Sequence, residues 1–271
     1  MIIDTHVHIG RILNFNMKKS DVLYSMEKYG IRYSIVSDVR ATEFDHQQRR
    51  LPSVLQTPQI KCLRETVDFA NKYPDKIGAA LWMKPYSETP DQQIYDLIEE
   101  NRSVVKALKF HPFHSKYPFD GERVQAYMDI ARHFSLPVEV HTGGSDNASC
   151  RRVYNMAEKN PDINFIMVHM GLGSDNKEAI RLIGELPNLY GDTTWVQMKS
   201  TMEFIEKNGD EKIMFGSDSP IDGKDTYLHN KRGDRSIYQD YFHVLPSLIP
   251  EESYEKLMWK NAARVFSLDI P

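Results

Sequence analysis

The sequence predicts a single α/β domain, a (β/α)8 TIM barrel spanning residues 1–271, with a metal site at the C-terminal ends of its strands. Short apolar runs alternate with amphipathic segments along the whole chain, and no shift in composition divides it. The length of 271 residues also suits one such barrel, which typically has about 250 residues. An open doubly wound sheet shows the same alternation, and periodicity alone does not separate the two architectures.

Eight short apolar runs are predicted to form the strands. Several of them, such as Ile213–Phe215, are continuously apolar, which is typical of strands buried on both faces of a parallel sheet. The predicted strands are Met1–Asp4, Tyr33–Asp38, Ile77–Met83, Val105–Phe110, Pro137–Val140, Asn164–Val168, Leu189–Gly191 and Lys212–Phe215.

Amphipathic segments with recognisable end signals lie between the predicted strands. Ser20 is expected to cap the first helix, which ends at Gly30, and Pro74 is expected to terminate the second. The last helix, around Tyr254–Phe266, is expected to close the barrel from outside.

Two long polar segments interrupt this rhythm. Residues 40–60 follow the second predicted strand, and residues 219–245 follow the eighth. In a parallel barrel, loops that follow strands lie on the catalytic face. We therefore expect both segments to act as lids or specificity loops.

Composition and charge exclude several classes of function. The 34 basic and 38 acidic residues give a formal net charge of -4, and no basic block indicates a nucleic-acid partner. The two cysteines, Cys62 and Cys150, are too few for a disulfide framework and suit a reducing cytosol. No apolar run approaches the roughly 20 residues that span a membrane, and no signal peptide is evident, so we expect a cytoplasmic protein.

Metal-binding residue types stand where the predicted strands end. His6 and His8 follow the first strand two residues apart, so their side chains are expected to point the same way. His141, His169 and Asp218 end the fifth, sixth and eighth strands. Because the carboxyl ends of parallel strands converge, these residues are expected to form one site. Imidazole and carboxylate ligands suit zinc best, and also manganese or iron.

The distribution of the 10 histidines favours a site over scattered structural roles. Five of them stand at predicted strand ends, which chance placement makes improbable: His6, His8, His111, His141 and His169. The other five fall in predicted loops or helices, where structural or surface roles are expected: His46, His114, His133, His229 and His243.

Further residues are expected around the mouth of the barrel, where a small-molecule substrate would bind. Arg40, Lys84 and Arg151 suit an anionic group such as a carboxylate or phosphate. Trp82, Lys109 and His111 complete the expected substrate-binding set. Other residues expected at the mouth include Asp38, Lys116, Trp195 and Asp192, of which Asp192 would orient a ligand histidine or cap a helix.

This ordered set of motifs resembles the amidohydrolase superfamily, and within it the amidohydrolase-related ("amidohydrolase 2") branch. The resemblance rests on Asp4-Thr5-His6-Val7-His8, the two later histidines and Gly216-Ser217-Asp218, and it extends to a closing segment, Lys260–Phe266. It implies a metal-dependent TIM-barrel enzyme with a divalent ion held by His6, His8, His141 and Asp218. It also implies that His169 acts beside the metal and that Asp218 moves the proton of a bound water.

Lys109 leaves the number of metal ions open between one and two. The segment Ala107–Pro112 resembles the fourth strand of dihydroorotase-like members, in which a carboxylated lysine bridges two metals. On that reading His141 and His169 would bind the second ion. On the alternative reading, Lys109 is unmodified and binds an anionic substrate or pairs with a carboxylate.

Three functions are compatible with these residues. The first is metal-dependent hydrolysis of a small-molecule lactone, amide or ester through metal-activated water. The second is metal-dependent, non-oxidative decarboxylation of an aromatic or unsaturated carboxylic acid. The third is a catalytically silent barrel used for binding. A homo-oligomer is compatible with all three, and the sequence does not name the substrate.

Overall fold

The computed structural model describes residues 1–270, so Pro271, the last residue of the predicted domain, lies outside the described residues. All eight predicted strands are present, and the first is much longer than expected. Within residues 1–270 the strands are β1 (Ile3–Ile12), β2 (Phe15–Met17), β3 (Tyr33–Asp38), β4 (Ile77–Trp82), β5 (Val105–Phe110), β6 (Val138–Gly143), β7 (Phe165–Leu172), β8 (Leu189–Asp192) and β9 (Ile213–Met214).

The strands form one curled sheet in the order β2-β1-β3-β4-β5-β6-β7-β8-β9. Every neighbouring pair from β1 and β3 to β8 and β9 is parallel, and β2 is added as an antiparallel hairpin on the end of β1. The parallel strands therefore follow chain order without the reversal that a doubly wound sheet requires. The open doubly wound alternative is not what the chain forms.

Backbone hydrogen bonds also connect β1 to the segment that follows β9. The Thr5 amide donates to the Phe215 carbonyl (3.0 Å), and the His8 amide donates to the Ser219 carbonyl (2.8 Å). In the other direction, the Asp218 amide donates to the His6 carbonyl (2.8 Å). These bonds bring the two ends of the sheet together and place His6 and His8 beside Asp218.

The helices follow the strands in alternation. They are α1 (Lys19–Tyr29), α2 (Gln59–Lys72), α3 (Gln92–Glu100), α4 (Pro112–Ser115), α5 (Glu122–Phe134), α6 (Cys150–Lys159), α7 (Lys177–Glu185), α8 (Met198–Asn208), α9 (Tyr238–His243), α10 (Glu251–Glu255) and α11 (Asn261–Val265), with a π-helical stretch, Lys256–Lys260, joining the last two.

The expected end signals of α1 are half right. Gly30 ends the helix with φ 64, and its amide donates to the Met26 carbonyl. The expected cap at Ser20 is wrong. The helix begins at Lys19, and the Lys18 carbonyl already accepts a hydrogen bond from the amide of Asp21. Ser20 therefore lies inside the first turn.

Apolar side chains cover both faces of the sheet. The larger cluster packs the sheet against the surrounding helices, and a second cluster on the other face includes Ile35, Val168 and Met214. Val265 and Phe266, at the end of the last helix, belong to this second cluster. The last helix thus ends against the inner face of the sheet, where it was expected to pack outside. None of the helices in residues 1–270 is long and apolar enough to cross a membrane.

Candidate metal centre

Three side chains of metal-binding type meet where the two ends of the sheet come together. His6 and His8 lie on β1, and Asp218 follows β9. Asp218 Oδ1 lies 2.9 Å from His8 Nε2 and 3.4 Å from His6 Nε2, and the two imidazole nitrogens are 3.1 Å apart. Their ligand atoms all lie within 4.8 Å of one another, and all three residues are buried. The arrangement is a possible metal site.

The outer ring nitrogens of both histidines have partners of their own. Ser37 Oγ, on β3, lies 2.9 Å from His8 Nδ1, and Lys109 Nζ, on β5, lies 3.3 Å from His6 Nδ1. Such contacts fix the orientation of each ring and turn Nε2 towards Asp218, the side on which a metal ion would bind. Lys109 is completely buried, and burial lowers its pKa to about 8.

Asp4 forms hydrogen bonds that stabilise β1 and the segment after β9, a role that was not inferred from the sequence. Its Oδ1 accepts from the His6 amide (3.1 Å), and its Oδ2 accepts from the hydroxyls of Ser217 and Tyr227. Burial raises the pKa of Asp4 to about 7 although these hydrogen bonds lower it. Tyr227 belongs to the long segment after β9, so its hydrogen bond to Asp4 connects that segment to β1.

His169 lies within β7, three residues before the strand ends, in a left-handed backbone conformation with φ 68. Its amide donates to Asp192 Oδ1 (2.8 Å), and Asn176 Nδ2 donates to its carbonyl (3.2 Å). Its ring Nδ1 lies 3.2 Å from the Thr194 carbonyl, so Nδ1 carries the proton and Nε2 is an acceptor. Non-glycine residues held this way cluster at functional sites. Asp192 thus orients His169 through the backbone.

Asp218 also has a left-handed backbone, with φ 66. Its Oδ2 accepts from Trp195 Nε1 (2.9 Å), while its Oδ1 faces the two histidines of β1. Burial by itself would raise the pKa of Asp218, but hydrogen bonds with His6 and His8 hold it well below its ordinary value. Every contact of this carboxylate therefore favours its ionised form.

His141, the expected fourth ligand, is fixed by aromatic stacking. Its ring stacks on that of His111 with centroids 3.7 Å apart and planes at 15°, and Trp82 stacks on His111 at 5.1 Å and 11°. The His141 ring also meets that of His169 edge to face, with centroids 4.7 Å apart. His141 is not part of the three-residue group of His6, His8 and Asp218.

A cavity of about 220 Å³ opens over these residues. His6, His8, His141, His169 and Asp218 lie on its wall. Within residues 1–270, no lysine or arginine lines it. The other lining residues are mostly apolar or aromatic, including Phe15, Met17, Val39, Trp82, Phe113, Leu172 and Ile221.

Four cations were expected to bind the substrate, and the structure brings none of them to this cavity: Lys109 does not line it, and neither do Arg40, Lys84 and Arg151. Arg40 turns back to its neighbour Asp38, whose carboxylate accepts from its Nε at 3.0 Å. Lys84 is buried and donates to the Thr57 carbonyl (2.7 Å). Arg151 is exposed and lies over the ring of Tyr154, 4.9 Å from its centroid. Each cation is placed by a nearby partner.

Two histidines that were expected to have structural or surface roles line the cavity. His46 comes from the segment after β3, and His114 lies on the short helix α4. Thr42 and Ile221 also line the cavity, so both long polar segments reach its wall. That they act as lids or specificity loops stays a prediction. One feature of the sequence could have indicated that His114 reaches the site. It stands three residues after His111, which directly follows a predicted strand.

The donor set suits a divalent ion. Two imidazole nitrogens and a carboxylate converge with their other ring nitrogens already in contact with Ser37 and Lys109. Catalytic zinc sites use such histidine and carboxylate sets with one position open. The cavity above the three residues provides the space for that open position.

Comparison with known proteins gives a family and a fold. A family model for amidohydrolases matches residues 3–268, and no curated protein matches the sequence. A solved 2,6-dihydroxybenzoate decarboxylase from Rhizobium is similar at 14% identity and TM-score 0.70, covering 99% of each chain. A manganese-bound 5-carboxyvanillate decarboxylase from Novosphingobium aromaticivorans is similar at 11% and 0.67, covering 99% of this chain and 96% of that one. A 4-oxalomesaconate hydratase from Rhodopseudomonas palustris is similar at 14% and 0.66, covering 98% and 96%.

At these identities the solved structures support the fold, and their reactions belong to those proteins. The family match is independent of them and extends over nearly the whole chain, including the residues of β1, β6, β7 and the segment after β9 that build the site. The chain belongs to the amidohydrolase family.

Proposed function

We propose that this protein is a metal-dependent hydrolase of a lactone, amide or ester bond in a small molecule. One observation carries the proposal: Asp218 and His169, two of the ionisable groups beside His6 and His8, are both arranged as proton acceptors. Asp218 is surrounded by groups that favour its ionised form, and His169 Nδ1–H donates a hydrogen bond to the Thr194 carbonyl, which leaves Nε2 as the acceptor. Hydrolysis begins by removing a proton from water, which is what such groups do.

We propose that His6, His8 and Asp218 hold one divalent ion, with His141 as the fourth ligand. When bound, the ion would polarise the scissile carbonyl and lower the pKa of a water molecule to about 7. Zinc suits these ligands, and manganese is a second candidate because a solved relative in fold binds it.

The site residues then have separate tasks. Asp218 takes the proton of the attacking water and returns it to the leaving group. Trp195 holds Asp218 in position through its Nε1 hydrogen bond (2.9 Å). His169 offers Nε2 to the water or to the substrate from the neighbouring wall, and Asp192 and Asn176 hold its backbone.

We further propose that Lys109 is unmodified and that the site holds a single ion. Its Nζ lies against His6 Nδ1, the ring nitrogen opposite the one that faces Asp218. It is also completely buried and does not line the cavity. A lysine that bridges two ions would instead have to reach the side of the ring where the ligand atoms meet.

The same contacts support a closed (β/α)8 barrel as the architecture that assembles the site. Eight parallel strands follow chain order, and hydrogen bonds connect β1 to residues 215–219. Closure of this kind brings the first and last strands together, as a site built from His8 and Asp218 requires.

The proposal is tested by assaying the metal-loaded protein against lactones, esters and amides, with the reaction run in water enriched in oxygen-18. We expect one atom of the label in the carboxyl group of the product acid. Asp218→Asn is expected to lower kcat by about 100-fold or more. Arg151→Ala, an exposed change outside the cavity, serves as the matched control and should retain wild-type activity.

Decarboxylation of an aromatic or unsaturated acid is the second candidate. It is favoured by the cavity lining, which is mostly apolar or aromatic and, among residues 1–270, contains no lysine or arginine. Such a lining would desolvate a bound carboxylate and so promote the loss of carbon dioxide. Release of carbon dioxide from such acids, with no hydrolysis across the panel, would replace the first proposal with the second. Absence of both reactions in protein with bound metal would refute both.

A further inference from the structure

Two histidines on one wall of the cavity have no part in the proposed hydrolysis. His111 lies between β5 and the short helix α4, as the N-cap of that helix, and His114 lies on the helix. Both are largely buried, and both line the cavity. Their ring centroids are 4.5 Å apart, so one small substrate group can contact both.

The hydrogen bond at the start of α4 fixes the tautomer of His111. The backbone amide of His114 donates to His111 Nδ1 (3.3 Å), so this nitrogen is the acceptor. A histidine ring carries at least one N–H, which must then be at Nε2. Of the two ring nitrogens, Nε2 is the one left for a ligand, and it is a donor.

The opposite tautomer is fixed in His114. Its Nδ1 lies 2.7 Å from the Phe44 carbonyl, which accepts only, so Nδ1 carries the proton. Burial lowers the pKa of His114 to about 4, which keeps the ring neutral. Its Nε2 is therefore an acceptor, placed beside the donor nitrogen of His111.

We propose that His111 and His114 are specificity residues that bind a hydroxyl group of the substrate. A hydroxyl donates one hydrogen bond and accepts another, which matches one donor and one acceptor nitrogen. A methoxy group or a hydrogen in its place leaves at least one buried nitrogen unpaired, and such mismatches give strong discrimination.

The stacking of His111 on His141 places this hydroxyl position next to the metal donors. The two rings are 3.7 Å apart, so the hydroxyl and the group held at the metal must be close together in the substrate. The inference deepens the proposed function and rests on it, since it names the substrate class as hydroxylated small molecules.

Binding of simple aromatic acids tests the inference, because a carboxylate can occupy the open metal position. The zinc-loaded protein is titrated calorimetrically with benzoate, with the three hydroxybenzoate isomers and with their methoxy counterparts. We expect one hydroxybenzoate isomer to bind about tenfold tighter than its methoxy counterpart.

Two asparagine variants keep the structural hydrogen bonds and remove the ligand-facing nitrogens, but the change at His111 also removes the stack on His141. In His111→Asn the shorter side chain still accepts from the amide at the start of α4, as a good N-cap residue does. In His114→Asn the side-chain amide still donates to the Phe44 carbonyl. His111→Phe is the complementary change, since it keeps the aromatic stack on His141 and loses both nitrogens.

We expect His111→Phe and His114→Asn to bind benzoate within about twofold of the wild type, and all three variants to lose the preference for hydroxyl over methoxy. An unchanged preference in these variants would overturn the inference while leaving the hydrolase proposal intact. A preference that disappears while hydrolysis is never detected would support the inference and refute the proposed function. Failure of every acid to bind the metal-loaded protein would overturn the inference.

Discussion

Glu43 provides a test of how burial controls charge near the cavity. It lies in the segment after β3, almost completely buried, and neither carboxylate oxygen has a hydrogen-bond partner within residues 1–270. Burial raises its pKa from 4.5 to about 7, although Ser87 and Lys84 act in the opposite direction. The ionised carboxylate is therefore unfavourable in the folded protein.

The magnitude follows from the shift in pKa. Because the folded-state pKa lies above the unfolded value, stability is greatest below pH 4.5 and decreases as the pH rises through about 7. At 1.36 kcal/mol per pKa unit, the cost is about 3 kcal/mol at pH 8 and about 1 kcal/mol at pH 5. Glu43→Gln removes the charge, so the variant should be more stable than the wild type by about these amounts.

Urea unfolding of both proteins at pH 5 and pH 8 measures this difference. The matched control is Glu27→Gln, a change at an exposed glutamate, which should leave the free energy of unfolding unchanged at both pH values. Equal stability of Glu43→Gln and wild type at pH 8, or a difference that does not grow from pH 5 to pH 8, would refute the reasoning.

Three further predictions concern the site and its support. Trp195→Phe removes the N–H that donates to Asp218 Oδ2, so kcat should fall about tenfold while the metal content stays the same. An unchanged kcat would contradict the positioning role of Trp195. Gly143→Ala should lower the free energy of unfolding, measured in urea, by about 3 kcal/mol or more, because φ is +103 and a Cβ would lie 2.4 Å from Leu172 N. A smaller loss would show that the backbone moves to accommodate the methyl group. Zinc at 100 times its Kd should raise the free energy of unfolding by about 2.7 kcal/mol relative to protein from which a chelator has removed the metal. Asp218→Asn should abolish this stabilisation. An equal stabilisation of the variant would show that the metal binds elsewhere.

The parts of the site that depend on strand geometry could be predicted from the sequence. His6 and His8 are two residues apart on a strand, and Asp218 follows the last strand, so parallel topology alone brings them to one face. The same rule placed His141 and His169 at neighbouring strand ends. Buried apolar runs marked the strands because both faces of the sheet are covered.

The parts that depend on loops could not be predicted. His114 reaches the cavity wall because its ring contacts the Phe44 carbonyl, 70 positions away in a segment without periodicity. Arg40 is captured by Asp38, and no pattern in the sequence says which of two neighbouring charges faces the cavity. The contact of Tyr227 with Asp4 spans 223 positions and involves a loop residue without a motif.

The hydrogen bonds between β1 and residues 215–219 have a consequence for protein synthesis. Because a chain is made from its amino terminus, β1 leaves the ribosome long before its partners in residues 215–219. The amide of His8 waits more than 200 residues for the Ser219 carbonyl, and at about 5–20 residues per second that interval lasts at least about ten seconds. During this time one edge of β1 lacks its partner and is open to incorrect strand pairing. The set of His6, His8 and Asp218 is therefore complete only after Asp218 has been synthesised.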